Sequence, residues 1–155
     1  MTVLLGSDHA GFGLRRVLAN SLIERGHAVA EMGATGEDAF DYPDAAIELS
    51  RRMQRGDAEF GVLICGTGIG MAITANKFGR IRAAVCWSTE AAKLAREHNH
   101  ANVLCVGARL IDPDTAQSIL DVFLATPESP ESRHVRRVAK MDSLGECSEP
   151  AAAAK

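Results

Sequence analysis

Phe60-Gly61-Val62-Leu63-Ile64-Cys65-Gly66-Thr67-Gly68-Ile69-Gly70-Met71 is the stretch that decides the fold. Val62 to Ile64 is a short apolar run rich in β-branched residues, which reads as a strand buried in a parallel sheet. Gly66, Gly68 and Gly70 then alternate with Thr67 and Ile69, so the backbone can turn sharply and sit close to a ligand. Met71-Ala72-Ile73-Thr74-Ala75-Asn76 continues as a helix start. Strand, glycine loop and helix N-terminus together leave backbone N–H groups pointing outward, which makes an anion site. Cys65 puts a thiol at the strand's carboxyl end beside those donors, a setting that favours thiolate.

Working outward, apolar runs at 2–5, 27–32, 81–86 and 103–106 read as four more strands. Between them lie helical patterns. Leu14, Val17, Leu18 and Leu22 mark a helix over 12–25 closed by Gly26. Residues 44–55 form a second helix and 69–78 a third. Ser88 caps a fourth that runs to about residue 97. Asp112-Pro113 opens a fifth, with Ala116, Ile119, Leu120 and Phe123 on its buried face. A polar break at 126–130 precedes a basic helix over 131–143. Five strands alternating with helices predict an α/β fold, a Rossmann-like three-layer αβα sandwich with a five-stranded parallel sheet plus a C-terminal helix. One domain is expected over 1–144, and the Ala- and Glu-rich stretch 145–155 reads as a disordered tail.

Composition narrows the partners. A chain of 155 residues is the size of one domain and buries roughly 70% of its unfolded surface. The net charge of −3 and pI near 5.9 give no reason to expect nucleic acid. No apolar run approaches the ~20 residues of a membrane span, and the first residues lack the basic leader of a signal peptide. The four cysteines, at 65, 86, 105 and 147, form no CxxC pair. Reduced thiols in a cytoplasmic protein are therefore expected.

In a doubly wound sheet, ligands bind outside the carboxyl ends of the strands. That rule gathers Asp8, His9, Cys65, Gly66, Thr67, Gly68 and Gly70 on one rim. The glycine loop fits neither nucleotide fingerprint: GxGxxG fails at Met71 and at Ile73, and no Gly-Lys-Ser/Thr follows. A tight turn would account for the glycines alone, but beside Cys65 and Thr67 an oxyanion cradle fits better. Most cysteines are buried and inert, which suffices for Cys86 and Cys105. Asp8-His9 reads either as a polar turn or as part of the same rim. His98 follows a helix and precedes a strand, which puts it at the amino end, where it would satisfy the helix dipole. Arg133 and Arg137 share a helix face, either solvated or clamping a phosphate.

Taken together, Gly6-Ser7-Asp8-His9-Ala10-Gly11-Phe12, Asp41-Tyr42-Pro43, Ile64 to Gly70, Ala75-Asn76-Lys77, Glu97-His98-Asn99, Asn102-Val103-Leu104 and Arg133-His134-x-x-Arg137 resemble type B ribose-5-phosphate isomerases. That family also holds the galactose-6-phosphate isomerase subunits. The likeness runs collinearly from about residue 2 to 142. It implies interconversion of an aldose and a ketose phosphate through an enediolate, with no metal and no cofactor. By the resemblance, Cys65 is the base between C1 and C2. Thr67 and the amides of Gly66, Gly68, Ile69 and Gly70 hold the oxyanion. His98 opens the furanose ring and Asn99 contacts substrate. Asp8, His9 and Tyr42 line the sugar pocket, and His9, Arg109, Arg133 and Arg137 bind phosphate. It also implies a homodimer, or a tetramer, with sites shared between subunits, which would bring His98 to Cys65. Cys86-Trp87-Ser88-Thr89 departs from the more polar turn common in relatives. Ribose 5-phosphate is the expected substrate. Galactose, allose or tetrose phosphates are the alternatives, followed by a non-catalytic phosphosugar-binding module. A thiol redox enzyme is disfavoured because no resolving cysteine stands near Cys65.

Overall fold

Strand residues 3–7, 61–65 and 103–107 are buried because helices cover both faces of the sheet, while the edge strands at 28–33 and 83–85 stay mostly half-buried. In the computed structural model, which describes residues 1–146, the chain alternates β1 (Thr2–Ser7), α1 (Phe12–Glu24), β2 (Ala28–Gly33), α2 (Tyr42–Gln54), β3 (Phe60–Cys65), α3 (Ile69–Ala75), β4 (Ala83–Val85), α4 (Thr89–Asn99), β5 (Val103–Gly107), α5 (Pro113–Ala125) and α6 (Ser132–Asp142). A 3₁₀ turn over Ser143–Glu146 follows. It overlaps the stretch expected as tail at 145–146; the remainder of that stretch, 147–155, lies outside the described residues. All strand pairs are parallel, in the order β2-β1-β3-β5-β4. The expected three-layer α/β sandwich is the fold observed.

Alternation along each strand builds two separate cores. Val3, Leu5, Val62, Ile64, Leu104 and Val106 face α1, α4 and α5, where Leu18, Leu22, Ile119 and Phe123 meet them. Leu4, Leu63, Cys65, Val103 and Cys105 face the other way, onto Ala45, Ala46 and Leu49 of α2 and Met71, Ala72 and Ala75 of α3. The side chain of Cys65 thus belongs to the α2–α3 face.

The chain leaves β1 for β2, then returns across β1 to β3, so direction reverses between β1 and β3. Crevices for ligands open at the carboxyl side of such a reversal. A buried guanidinium ties the β1 and β2 ends of it together. Arg15, only 4% exposed, donates to Ser7 Oγ (3.0 Å), to the Met32 carbonyl, to the Ala34 carbonyl (2.8 Å) and to Glu31 (3.0 Å). Arg15→Met is expected to remove these bonds and leave the buried Ala34 carbonyl unpaired, at about 1–3 kcal/mol. The check is urea unfolding, where a midpoint equal to that of the unaltered protein would contradict this role.

Several elements are bounded differently from the sequence expectation, each for a local reason. α3 ends at Ala75 rather than near 78, because both ends of the Asn76 amide bind the backbone of Ala83, at 2.8 and 2.9 Å. β4 is trimmed from 81–86 to three residues: Ile81 N–H closes a turn on Phe78 and the Arg82 carbonyl accepts from Asn102 and Val103. α2 begins two residues early, at Tyr42, with Pro43 fixing its first turn. Ser88 and Asp112 cap α4 and α5 as expected, accepting from Ala91 (3.1 Å) and Thr115 (2.9 Å).

Candidate active site

At the end of β3 the chain turns on Gly68, which adopts φ +77°, the left-handed region. That turn folds the Gly68 N–H back onto Cys65, 3.1 Å from Sγ, while Ile69 N–H reaches Thr67 Oγ1 at 3.3 Å. Cys65 is 5% exposed, packed with the α2–α3 core, and its sulfur has an amide donor aimed at it. An N–H donor of this kind stabilises negative charge on sulfur. The other two described cysteines have no such donor. Burial pushes the Cys86 thiol up to about 11 and raises Cys105 well above its ordinary range. α3 is seven residues long, so it is the loop amides, rather than a long helix dipole, that supply the positive field.

The turn just past β5 holds this loop in place. Ala108 N–H donates to the Cys65 carbonyl (2.8 Å) and Arg109 N–H to that of Gly66 (3.1 Å). A Cβ on Gly107 would lie 2.8 Å from the Thr67 backbone, so only glycine lets the two segments meet. Gly107 escaped sequence reading, although a glycine closing an apolar strand was the available signal. Arg109 drapes over the loop, its Nη1 3.3 Å from where a Gly66 Cβ would sit. The Tyr42 ring lies against Gly70, 2.5 Å from the position of an added Cβ.

The loop after β1 completes this rim. Asp8 N–H donates to the Ile64 carbonyl (3.2 Å), and Asp8 Oδ1 accepts from Gly11 N–H at 2.9 Å. His9 Nδ1 accepts from the Phe40 amide at 3.2 Å. With Nδ1 accepting, Nε2 is the ring nitrogen left to donate to an anion or hydroxyl. Asp8, His9, Tyr42, Cys65, Gly66, Thr67, Gly68, Ile69, Gly70 and Arg109 thus share the carboxyl rim.

His98, Asn99, Arg133 and Arg137 do not join them. His98 and Asn99 are the last two residues of α4, which runs back to the amino end of the sheet, and α6 begins beside them. There the His98 and His134 rings stack, centroids 4.4 Å apart and planes within 4°. Arg133 pairs with Glu131 at 2.7 Å, and Arg137 is exposed one turn on. Burial, then the neighbouring His98 and Arg133, hold the His134 imidazole below the usual 6.5 for its protonation. The folded chain therefore binds this proton less readily than the unfolded one, and stability contributed here is lost as pH falls below about 6.5. Unfolding midpoints at about pH 7.5 and about pH 5 should differ less in His134→Phe than in the unaltered protein; equal slopes would refute this.

The ribose/galactose isomerase family model matches residues 3–141. The chain belongs to the ribose/galactose isomerase family. Among its relatives, ribose-5-phosphate isomerase B of Escherichia coli K12 is 37% identical over 142 residues, spanning 92% of this chain and 95% of that one. The Mycolicibacterium paratuberculosis protein of the same name is 41% identical over 139 residues, 89% and 87% of the two chains. Among solved structures, a ribose 5-phosphate isomerase from Thermotoga maritima superposes with TM-score 0.89 at 42% identity, covering 92% of this chain and 97% of that one. The ribose 5-phosphate isomerase B of Anaplasma phagocytophilum gives 0.85 at 51% identity, covering 90% and 95%.

The isomerase is thus an aldose–ketose isomerase of the α/β class. Among its described residues no helix is long and apolar enough to cross a membrane.

Proposed function

We propose that this isomerase interconverts ribose 5-phosphate and ribulose 5-phosphate in the cytoplasm, in a site that Cys65 of one copy shares with His98 of a second. The observation that carries the reading is the Gly68 N–H held 3.1 Å from Cys65 Sγ, beside further loop amides and Thr67. In the open-chain aldose, the Cys65 thiolate takes the proton from C2. Electron density moves onto O1, giving an enediolate. The thiol then returns a proton to C1, and O2 becomes the ketone as its proton passes to O1. A carbon acid next to a carbonyl is too weak for a base alone. The charge on oxygen must meet fixed donors, each worth about 3–4 kcal/mol in comparable sites. Thr67 and the loop amides from Gly66 to Gly70 are those donors, with the Gly68 N–H turned to Cys65 Sγ and the Ile69 N–H to Thr67 Oγ1 until substrate enters.

His98 opens the furanose ring before the proton transfer, and Asn99 contacts the sugar. His9 through Nε2–H, Arg109, and Arg133 and Arg137 of the second copy bind the phosphate. Paired guanidinium donors orient the substrate without touching the reacting carbons. Ile69, Ile73, Trp87 and Leu110, on or beside the carboxyl rim, are 53–68% exposed, an apolar margin suited to contact with another subunit.

Parallel assays on four-, five- and six-carbon sugar phosphates test the substrate. The kcat/KM for ribose 5-phosphate should exceed that for a hexose 6-phosphate by about 10–200-fold, the discrimination one extra carbon unit commonly brings. A higher value for the hexose phosphate would remove the proposal and favour a galactose or allose 6-phosphate.

A further inference from the structure

We propose that His134 is a positioning residue for sugar-ring opening, a buried flat platform that fixes the plane of the His98 imidazole; this rests on the reading of His98 as the ring-opening group. Two rings with centroids 4.4 Å apart and planes parallel within 4° form an offset face-to-face stack. His134 is 3% exposed, whereas His98 is only half-buried. The platform itself is well anchored. The end of α4 and the loop leading into α6 are pinned together by Ser129 N–H on the Glu97 carbonyl (3.3 Å) and by His100 Nε2 on the Ser129 carbonyl (3.1 Å). The buried Arg96 donates to the Ala101 carbonyl at 2.6 Å and to Thr126 and Glu128 at 3.3 Å.

The polar atoms of His134 do little for the fold. Among the described residues its Nδ1 has no hydrogen-bond partner, and its Nε2 is 4.0 Å from the nearest Glu131 oxygen. What the position uses is a flat ring. An uncharged ring suits it, since two imidazolium faces in contact would repel. Burial and the neighbouring His98, Arg133 and Arg137 all oppose a proton on His134, against a weaker pull from Glu131.

Ring opening explains why orientation matters. The C1–O4 bond breaks, C1=O1 forms, the O1 proton leaves and O4 takes one. A proton only changes position, so no oxidant or co-reactant is consumed. An imidazole serves this transfer only when its edge nitrogen lies in line with the anomeric oxygens, and small misplacements are costly.

Three variants test the proposal: His134→Leu keeps bulk without flatness, His134→Phe keeps the flat ring without nitrogens, and His134→Gln keeps a polar end without the ring. Turnover of ribose 5-phosphate should fall on the order of 10–100-fold in the Leu and Gln variants. The Phe variant should recover to within about threefold of the unaltered enzyme. A second readout is the exchange of the C1 hydrogen of ribulose 5-phosphate with deuterium oxide, followed by NMR. Ribulose 5-phosphate is open-chain, so this exchange needs Cys65 but no ring opening, and it should survive in all three. Equal loss of exchange and turnover would mean general damage and overturn the proposal. Rescue by Gln rather than Phe would assign the role to a nitrogen and overturn it too. His98→Asn serves as reference: if it keeps full turnover, the reading of His98 itself fails, whatever His134 does.

Discussion

Cys65→Ala is expected to lower kcat by on the order of 10²–10⁴-fold, the usual contribution of a positioned base. KM for the sugar phosphate should stay within about threefold, because the phosphate and hydroxyl contacts come from other residues. The substitution removes one sulfur from a site that is already 5% exposed and in contact with the α2–α3 core. Folding should therefore survive, at a cost of about 1 kcal/mol. Cys86→Ala supplies the comparison. That thiol is also buried, but its proton is held up to about 11 by burial, and it lies beyond the glycine loop on β4's side of the sheet. Its removal should leave turnover unchanged. Steady-state kinetics of the two variants, side by side, decide the matter; a Cys65→Ala enzyme with retained turnover would dismiss the thiol as base.

Much of this was legible in the sequence because it is encoded locally. The apolar runs around Val62 and Leu104 announce strands buried on both faces, and they are. Alternating glycines beside Cys65 and Thr67 announce a donor-rich turn, and Gly68 supplies both the left-handed backbone and the N–H at the sulfur. Ser88 and Asp112 are caps whose chemistry is complete within three residues.

What stayed hidden depends on contacts between distant segments. The strand order, with β5 between β3 and β4, is set by packing that no local period records. α3 stops early because the Asn76 side chain reaches a strand seven residues on. The requirement for glycine at 107 appears only when β5 lies against the Thr67 turn. His134 reads as one member of a basic helix until α6 folds against α4 and places its ring on His98. The amino-end position of His98, by contrast, was already implied by its place between helix and strand, and that is where it lies.

That position leads to the second large effect. β3 spans six residues, so its two ends are roughly 17 Å apart at about 3.3 Å per residue. Groups acting on neighbouring sugar carbons must each stand within hydrogen-bond reach of them, about 3 Å. Cys65 at one rim and His98 at the other cannot meet that condition within one chain. They meet it when the carboxyl rim of one copy faces the amino rim of another, and a two-fold pairing then makes two such sites at once.

Mixing two inactive proteins tests this most directly. Cys65→Ala and His98→Asn should each turn over ribose 5-phosphate very slowly alone. In the proposed dimer, joint unfolding and refolding of equal amounts pairs one of each in about half of the molecules, and every such pair holds one intact site. Activity should return to about a quarter of that of the unaltered enzyme. A mixture no more active than its two components would contradict a site built from both subunits.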